Sequence, residues 1–251
     1  MEELTEKEGA CLNCGTLVQG NYCSNCGQKF QPTKLPIKQF LEDAIETLFT
    51  IDNRLFRTIK DLFVKPGKVT KEYIIGKRAK YLPPLRVYLS ISVVYFLLAQ
   101  IIESDKILFV NFTQDGDSRI NLAKAVQTAM FFLVPVMAGI LKLFHLKRKA
   151  FYVEYLIFSV HIHSVWFVFF TIQLLLMSLE NALSGHVSSS FGSVLNIIVD
   201  LPQIAALIFF IIYMKRVFEG SWTKTVIKGL VTITLYLSTL AIATLLVTWI
   251  Y

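Results

Sequence analysis

Histidine is scarce in this chain. Only His145, His161, His163 and His186 occur among 251 residues, which counts against a membrane-embedded multi-histidine iron site. No G-x-S-x-G is present, so Ser159, His161 and Ser164 are ordinary residues of an apolar segment unless the fold makes them converge. No secretory signal is visible either. Met1 to Glu8 is acidic and the first apolar block begins only near Leu85, so the N-terminal region is expected to stay in the cytosol. No cysteine lies beyond position 26. No internal repeat stands out in the apolar part, and an odd number of spans argues against two equal inverted halves of the usual transporter kind.

What the chain has instead is grease in long runs. Hydrophobic residues make up 54%, with 20 Phe, and they fall in five blocks: Leu85 to Ile102, Ala125 to Leu146, Phe151 to Leu179, Val194 to Phe218 and Leu230 to Tyr251. Each is long enough to cross about 30 Å as a helix, the first only barely. The expected fold class is mostly α, a polytopic membrane helix bundle of about five transmembrane helices preceded by cytosolic amphipathic helices and a small zinc ribbon. The expected divisions are a flexible N-terminus over 1–9, the ribbon over 10–30, basic amphipathic helices over 35–84, and the spans over 85–251. Charge sets the orientation. With the N-terminus inside, 22 of the 25 Lys and Arg fall on the cytosolic side, and only Lys106, Arg119 and Lys124 lie outside. The C-terminus is then expected on the far side. The outer loop from Glu103 to Lys124 contains a β-prone run, Ile107 to Phe112.

All four cysteines sit in two C-x-x-C pairs, Cys11/Cys14 and Cys23/Cys26, each followed by a glycine, Gly15 and Gly27. Such a turn points two sulfurs at one ion, and the glycine takes the positive φ that lets backbone N–H groups face the thiolates. Four cysteines close a tetrahedron, so the expected cofactor is structural Zn2+. Two disulfides conflict with a cytosolic location, and a redox C-x-x-C would need a βαβ unit that thirty residues cannot supply. Leu12, Leu17, Val18, Tyr22 and Phe30 are the apolar side chains available to pack around the metal, so the metal-free segment is expected to unfold.

Residues 35 to 82 read as amphipathic helices. Ile37, Phe40, Leu41, Ala44, Ile45 and Leu48 recur at helical spacing. A second helix starts at Asp52 as N-cap, with Leu55, Phe56, Ile59, Leu62 and Phe63 on its apolar side, and stops at Pro66-Gly67. A third, Val69 to Ile75, ends at Gly76. From Arg54 to Arg86 ten basic residues face two acidic ones. Lys77, Arg78, Lys80 and Arg86 are candidates to hold anionic lipid headgroups. Two other readings stand beside this one: a plain positive-inside signal, and a nucleic-acid surface, disfavoured because the cations share faces with Leu, Ile and Phe.

The run from Asp61 through Pro66-Gly67, Glu72-Tyr73, Gly76-Lys77-Arg78, Tyr81 and Pro83-Pro84 to Tyr88 resembles the signature of a bacterial membrane family, the domain of unknown function numbered 3667, seen mainly in Bacteroidetes. Members of that family often carry a short Cys-rich ribbon like residues 11 to 28. The resemblance covers roughly residues 10 to 100 and implies a bacterial inner-membrane protein. It supplies no activity.

Within the spans, Glu154, His161 and Asp200 form a candidate intramembrane polar site, with His163 on another face of the same helix. Each has a plainer reading as a hydrogen-bonded packing residue, Asp200 as a cap near Pro202. The leading functional expectation is a non-enzymatic inner-membrane protein whose ribbon docks a protein partner or braces the helices. The alternative is a transporter or lipid-translocating protein with Glu154, His161 and Asp200 along a polar path. An enzyme acting on lipids comes third.

Overall fold

The computed structural model describes residues 8–30, 36–38, 40–41, 54–102, 106–107, 110–111, 116–183 and 189–250. The expected helix from Ile37 to Leu48 lies mostly outside them. The chain divides into two compact units, Met1–Val87 and Tyr88–Tyr251.

The first unit begins with β1 (Glu8–Ala10) and β2 (Leu17–Gln19), paired antiparallel with Gly9 opposite Val18. Residues 37, 38, 40 and 41 are helical, and further on come α1 (Arg54–Val64) and α2 (Lys68–Ile74). The end of α2 shows why Gly76 is glycine. Its N–H bonds to the Tyr73 carbonyl and the Lys77 N–H to that of Glu72, closing a Schellman motif around a φ of 96°.

From Gly76 to Pro83 the chain is irregular, and side chains of α1 and α2 hold it. Thr58 Oγ1 donates to the Arg54 carbonyl at 2.7 Å and accepts the Leu82 N–H at 3.1 Å. Arg54 Nη1 donates to the Ala79 carbonyl at 3.3 Å. Lys80 pairs with Asp61 at 3.4 Å, and the Tyr81 hydroxyl donates to the Glu72 carboxylate. Burial together with Glu72 pushes the Tyr81 hydroxyl well above its usual range, which keeps it a donor.

These contacts correct the expected face of α1. The inward side carries Thr58, Asp61 and Leu62, and of the five apolar residues assigned to it only Leu62 is buried. The polar pair turns inward because the irregular segment needs partners for its backbone groups.

Among its described residues the second unit is mostly helical, with one pair of short strands. Across the unit boundary runs α3 (Pro84–Ile101), and β3 (Lys106–Ile107) pairs with β4 (Val110–Asn111) where the β-prone run was expected. Then come α4 (Gly116–Phe144), α5 (Tyr152–Leu183), α6 (Ser189–Phe218) and α7 (Trp222–Ile250). Each of these four packs on the next, and α7 closes the ring on α4. Within the unit, α3 adds an aromatic seam: Tyr88 meets Phe131 and Phe167, and Tyr95 meets Phe167 and Phe170.

Over its first half α5 is almost wholly buried, and Ser159, His161, His163 and Ser164 are the polar side chains among those buried residues. Pro135 inside α4 weakens that helix's own ladder, and α5 bonds to the carbonyls beside it: Ser159 Oγ donates to Val134 at 2.7 Å and the Tyr152 hydroxyl to Pro135 at 2.8 Å.

Among the described residues four helices are long and apolar enough to cross a membrane: α3, α5, the 194–218 part of α6 and the 222–243 part of α7. The second expected block lies in α4, which begins at Gly116, nine residues before the expected start at Ala125, and the part of it with described side chains, Ala129–Phe144, is apolar.

The basic turns gather at one end of this unit. Lys228 Nζ donates to the Phe144 carbonyl at 2.7 Å, His145 stacks on Phe218 with centroids 4.5 Å apart, and the Arg148 guanidinium lies over the same ring. The end of α4 and the start of α7 therefore meet, and cations cap carbonyls that the helix cannot satisfy itself.

Replacing Thr58 with Val should leave the buried Leu82 N–H without its acceptor and cost about 1–3 kcal/mol. Thr58→Ser, which keeps the oxygen, should cost clearly less. Thermal unfolding of the detergent-solubilised protein measures both, and equal melting of Thr58→Val and the unchanged protein would contradict the assigned role.

Candidate metal centre and intramembrane polar groups

The ribbon is built as two copies of one turn. Cys11 N–H bonds to the Thr16 carbonyl and Gly15 N–H to that of Cys11, both at 2.8 Å. Twelve positions later Cys23 N–H bonds to Gln28 and Gly27 N–H to Cys23, both at 2.9 Å. Gly15 and Gly27 have φ of 79° and 70°, the left-handed values the turn requires. Each turn closes a pair of extended residues, Ala10 with Leu17 and Tyr22 with Lys29.

The two copies face each other through their sulfurs. Cys11 Sγ lies 3.6 Å from Cys26 Sγ, Cys14 Sγ lies 3.5 Å from Cys23 Sγ, and all four are within 4.8 Å of one another. A tetrahedron with metal–sulfur bonds of about 2.3 Å has edges of about 3.8 Å. The set therefore fits one four-coordinate ion. The contacting pairs are too far apart for disulfides. The thiols are unequal without an ion: the hydroxyl and N–H of Thr16 draw Cys14 down to about 6, whereas burial pushes Cys26 up to about 11.

Beneath the sulfurs the core is small, with Val18 buried and Phe30 packed against it. Leu17 and Tyr22, expected to help, are exposed. Leu12 serves a different contact. A Cβ on Gly76 would lie 2.5 Å from Leu12 Cδ1 and 3.1 Å from Leu12 Cβ, so this leucine packs directly on the glycine that ends α2.

Gln28 completes that attachment. Its Nε2 donates to the Gly76 carbonyl at 2.8 Å, and its Oε1 accepts the N–H groups of Arg78 and Ala79, each at 2.9 Å. Gln28 closes the second cysteine turn, so the knuckle and the segment ahead of α3 share one side chain.

The basic candidates divide. Arg78 is 8% exposed, with Nε donating to the Tyr73 carbonyl at 3.2 Å and its guanidinium over the Tyr73 ring, and Arg86 is 5% exposed on the first turn of α3. Lys77 and Lys80 are exposed, Lys80 in its pair with Asp61.

The intramembrane candidates have separate surroundings. Glu154 accepts the Phe151 N–H at 3.1 Å and pairs with Arg148 at 3.8 Å, as a helix start prefers. His161 is fully buried on α5, two turns further along. Asp200 is exposed on α6, whose helix continues through Pro202, so it is not a cap.

His163 makes a side-chain contact between helices. The Ser159 carbonyl, 2.7 Å from Nδ1, can only accept, so Nδ1 carries the proton and Nε2 accepts from the Tyr236 hydroxyl at 2.9 Å. This pair joins α5 to α7. Sequence spacing could not reveal it, since Tyr236 lies 73 residues away. The Tyr88 hydroxyl is buried and has no hydrogen-bond partner among the described residues.

Residues 52–96 match the model of a family described as "Protein of unknown function (DUF3667)". No curated protein matches the chain, and no solved structure does. The matched stretch contains α1, α2, the irregular segment that Gln28 binds, and most of α3.

His163→Phe should destabilise the protein by about 1 kcal/mol by stranding the Tyr236 hydroxyl, and adding Tyr236→Phe should restore part of the loss. Asp200→Asn should change stability by less than about 0.5 kcal/mol. A double-mutant cycle of melting temperatures tests this, and strictly additive losses would show that His163 and Tyr236 are not coupled.

Proposed function

We propose that this is a non-enzymatic membrane protein whose four cysteines hold one structural zinc ion, and whose ribbon braces the segment from which the first span starts. Zinc suits the donor set because four thiolates close its tetrahedron and leave no position for substrate. When bound, it supplies the folding energy that a core of Val18 and Phe30 cannot. The carrying observation is Gln28, whose amide makes three hydrogen bonds to Gly76, Arg78 and Ala79. This favours bracing over partner docking as the main role. The exposed Leu17 and Tyr22 leave room for a protein partner on the other side.

The membrane is proposed to be a bacterial inner membrane, crossed five times with the N-terminus in the cytosol. Lys142, Lys147, Arg148 and Lys149 on one turn, and Lys215, Arg216, Lys224 and Lys228 on the other, belong to the end of the second unit where Lys228 reaches Phe144. A ring of four helices whose basic turns share one end starts α4 at the opposite end. The first crossing, α3, then begins on the basic side. A transport path would need Glu154, His161 and Asp200 in one cavity. The pairing of Glu154 with Arg148 and the exposure of Asp200 weigh against it.

Cys23→Ser should remove about one equivalent of zinc, measured by elemental analysis, and unfold residues 10 to 28 while the spans stay inserted. Unmodified protein that contains no stoichiometric zinc would end the zinc assignment. Gln28→Leu should keep the metal yet speed amide exchange at Arg78 and Ala79 about tenfold. Unchanged exchange there would end the bracing role and leave the metal site standing.

Orientation has its own measurement. A reporter active only outside the cytosol, fused after Tyr251, should be active, and the same reporter after Lys149 should be silent. A silent fusion at Tyr251 would reduce the crossings to an even number.

A further inference from the structure

The outward face of α1 has no role in the bracing. At about 100° per residue, Phe56, Lys60, Val64 and Arg57 fall on one arc of roughly a quarter turn, opposite the buried Thr58 and Leu62. Phe56 is 78% and Val64 64% exposed, and Arg57 and Lys60 are exposed between them. Neither cation has an ion pair among the described residues. Asp61, the one acid of the helix, is turned inward to Lys80. The face is thus apolar and positively charged together.

Its position follows from the hydrogen bonds on the other side. Thr58 accepts the N–H of Leu82, two residues before Pro84, where α3 begins. Arg54 holds the Ala79 carbonyl. A helix bonded to the chain two residues ahead of a membrane span lies at headgroup depth, whatever else surrounds it. A solvent-facing helix would gain nothing from exposing Phe56 and Val64, whereas an interfacial helix buries such residues among acyl chains and lets Arg57 and Lys60 reach phosphates.

We infer that Phe56, Arg57, Lys60 and Val64 form a membrane-surface anchor that seats α1 on anionic phospholipid in the leaflet where α3 starts. The inference rests on the reading of α3 as a span and is independent of the metal. It also replaces Arg78 and Arg86, both buried, as the lipid contacts of this region. Arg57 and Lys60 are the headgroup ligands.

The test uses the full chain with a benzoylphenylalanine photocrosslinker placed singly at Phe56, Val64 or Val94, in nanodiscs of phosphatidylcholine with or without phosphatidylglycerol. Val94, exposed on α3, reports whether the span is in the bilayer. Phospholipid adducts are expected at all three positions by mass spectrometry, with those at 56 and 64 enriched in phosphatidylglycerol. Arg57→Gln and Lys60→Gln should each lower that enrichment about fivefold and leave the Val94 adduct unchanged. Lipid adducts at 94 with none at 56 and 64 would overturn the anchor, as would crosslinks from 56 to residues 37–53 of the same chain or to a second protein. Equal yields with and without phosphatidylglycerol would overturn its anionic character. Loss of the adduct at 94 would overturn the reading of α3 as a span, and the anchor with it.

Discussion

A chain about to enter hydrocarbon cannot leave backbone donors and acceptors behind unpaired, and the segment between Gly76 and Pro83 has neither helix nor sheet to pair them. This constraint organises the first unit. Gln28 from the ribbon, Thr58 and Arg54 from α1, and the Schellman closure of α2 supply the missing partners. The price is paid in sidedness: α1 turns its hydroxyl and carboxylate inward and leaves Phe56 and Val64 outside. A helix that is amphipathic by sequence is thereby rotated away from the orientation its apolar residues alone would choose.

The family match acquires a physical meaning from the same contacts. Gly76 is required twice, by its positive φ and by the approach of Leu12. Tyr73 and Tyr81 pair with Arg78 and Glu72. Pro83 and Pro84 mark the start of α3, where Arg86 and Val87 donate to the Pro83 carbonyl. A conspicuous basic motif is largely an architecture for getting a chain into a membrane helix, with part of its charge withdrawn from the surface.

Much of this was legible in the sequence because it depends on short-range chemistry. The cysteine spacing and its two glycines announced the thiol cluster, Gly76 announced the end of α2, and the long apolar runs announced the bundle. Face assignments failed where distant backbone groups decided them: nothing near Thr58 in sequence reveals that Leu82 needs its oxygen. The same holds for Gln28, whose partners lie about fifty positions away, and for His163 and Tyr236. Histidine was correctly noticed in α5, but the hydrogen bond of His163 to Tyr236 of α7 could not be read from its spacing.

The Gln28 contact also fixes an order of events. Synthesis runs from the N-terminus, and Gln28 leaves the ribosome 48 residues before the carbonyl it will bind. All four cysteines have thus been synthesised when Gly76 emerges, immediately ahead of the first hydrophobic segment. The side chain that pairs with this segment is therefore made before the segment itself and before every apolar helix that follows.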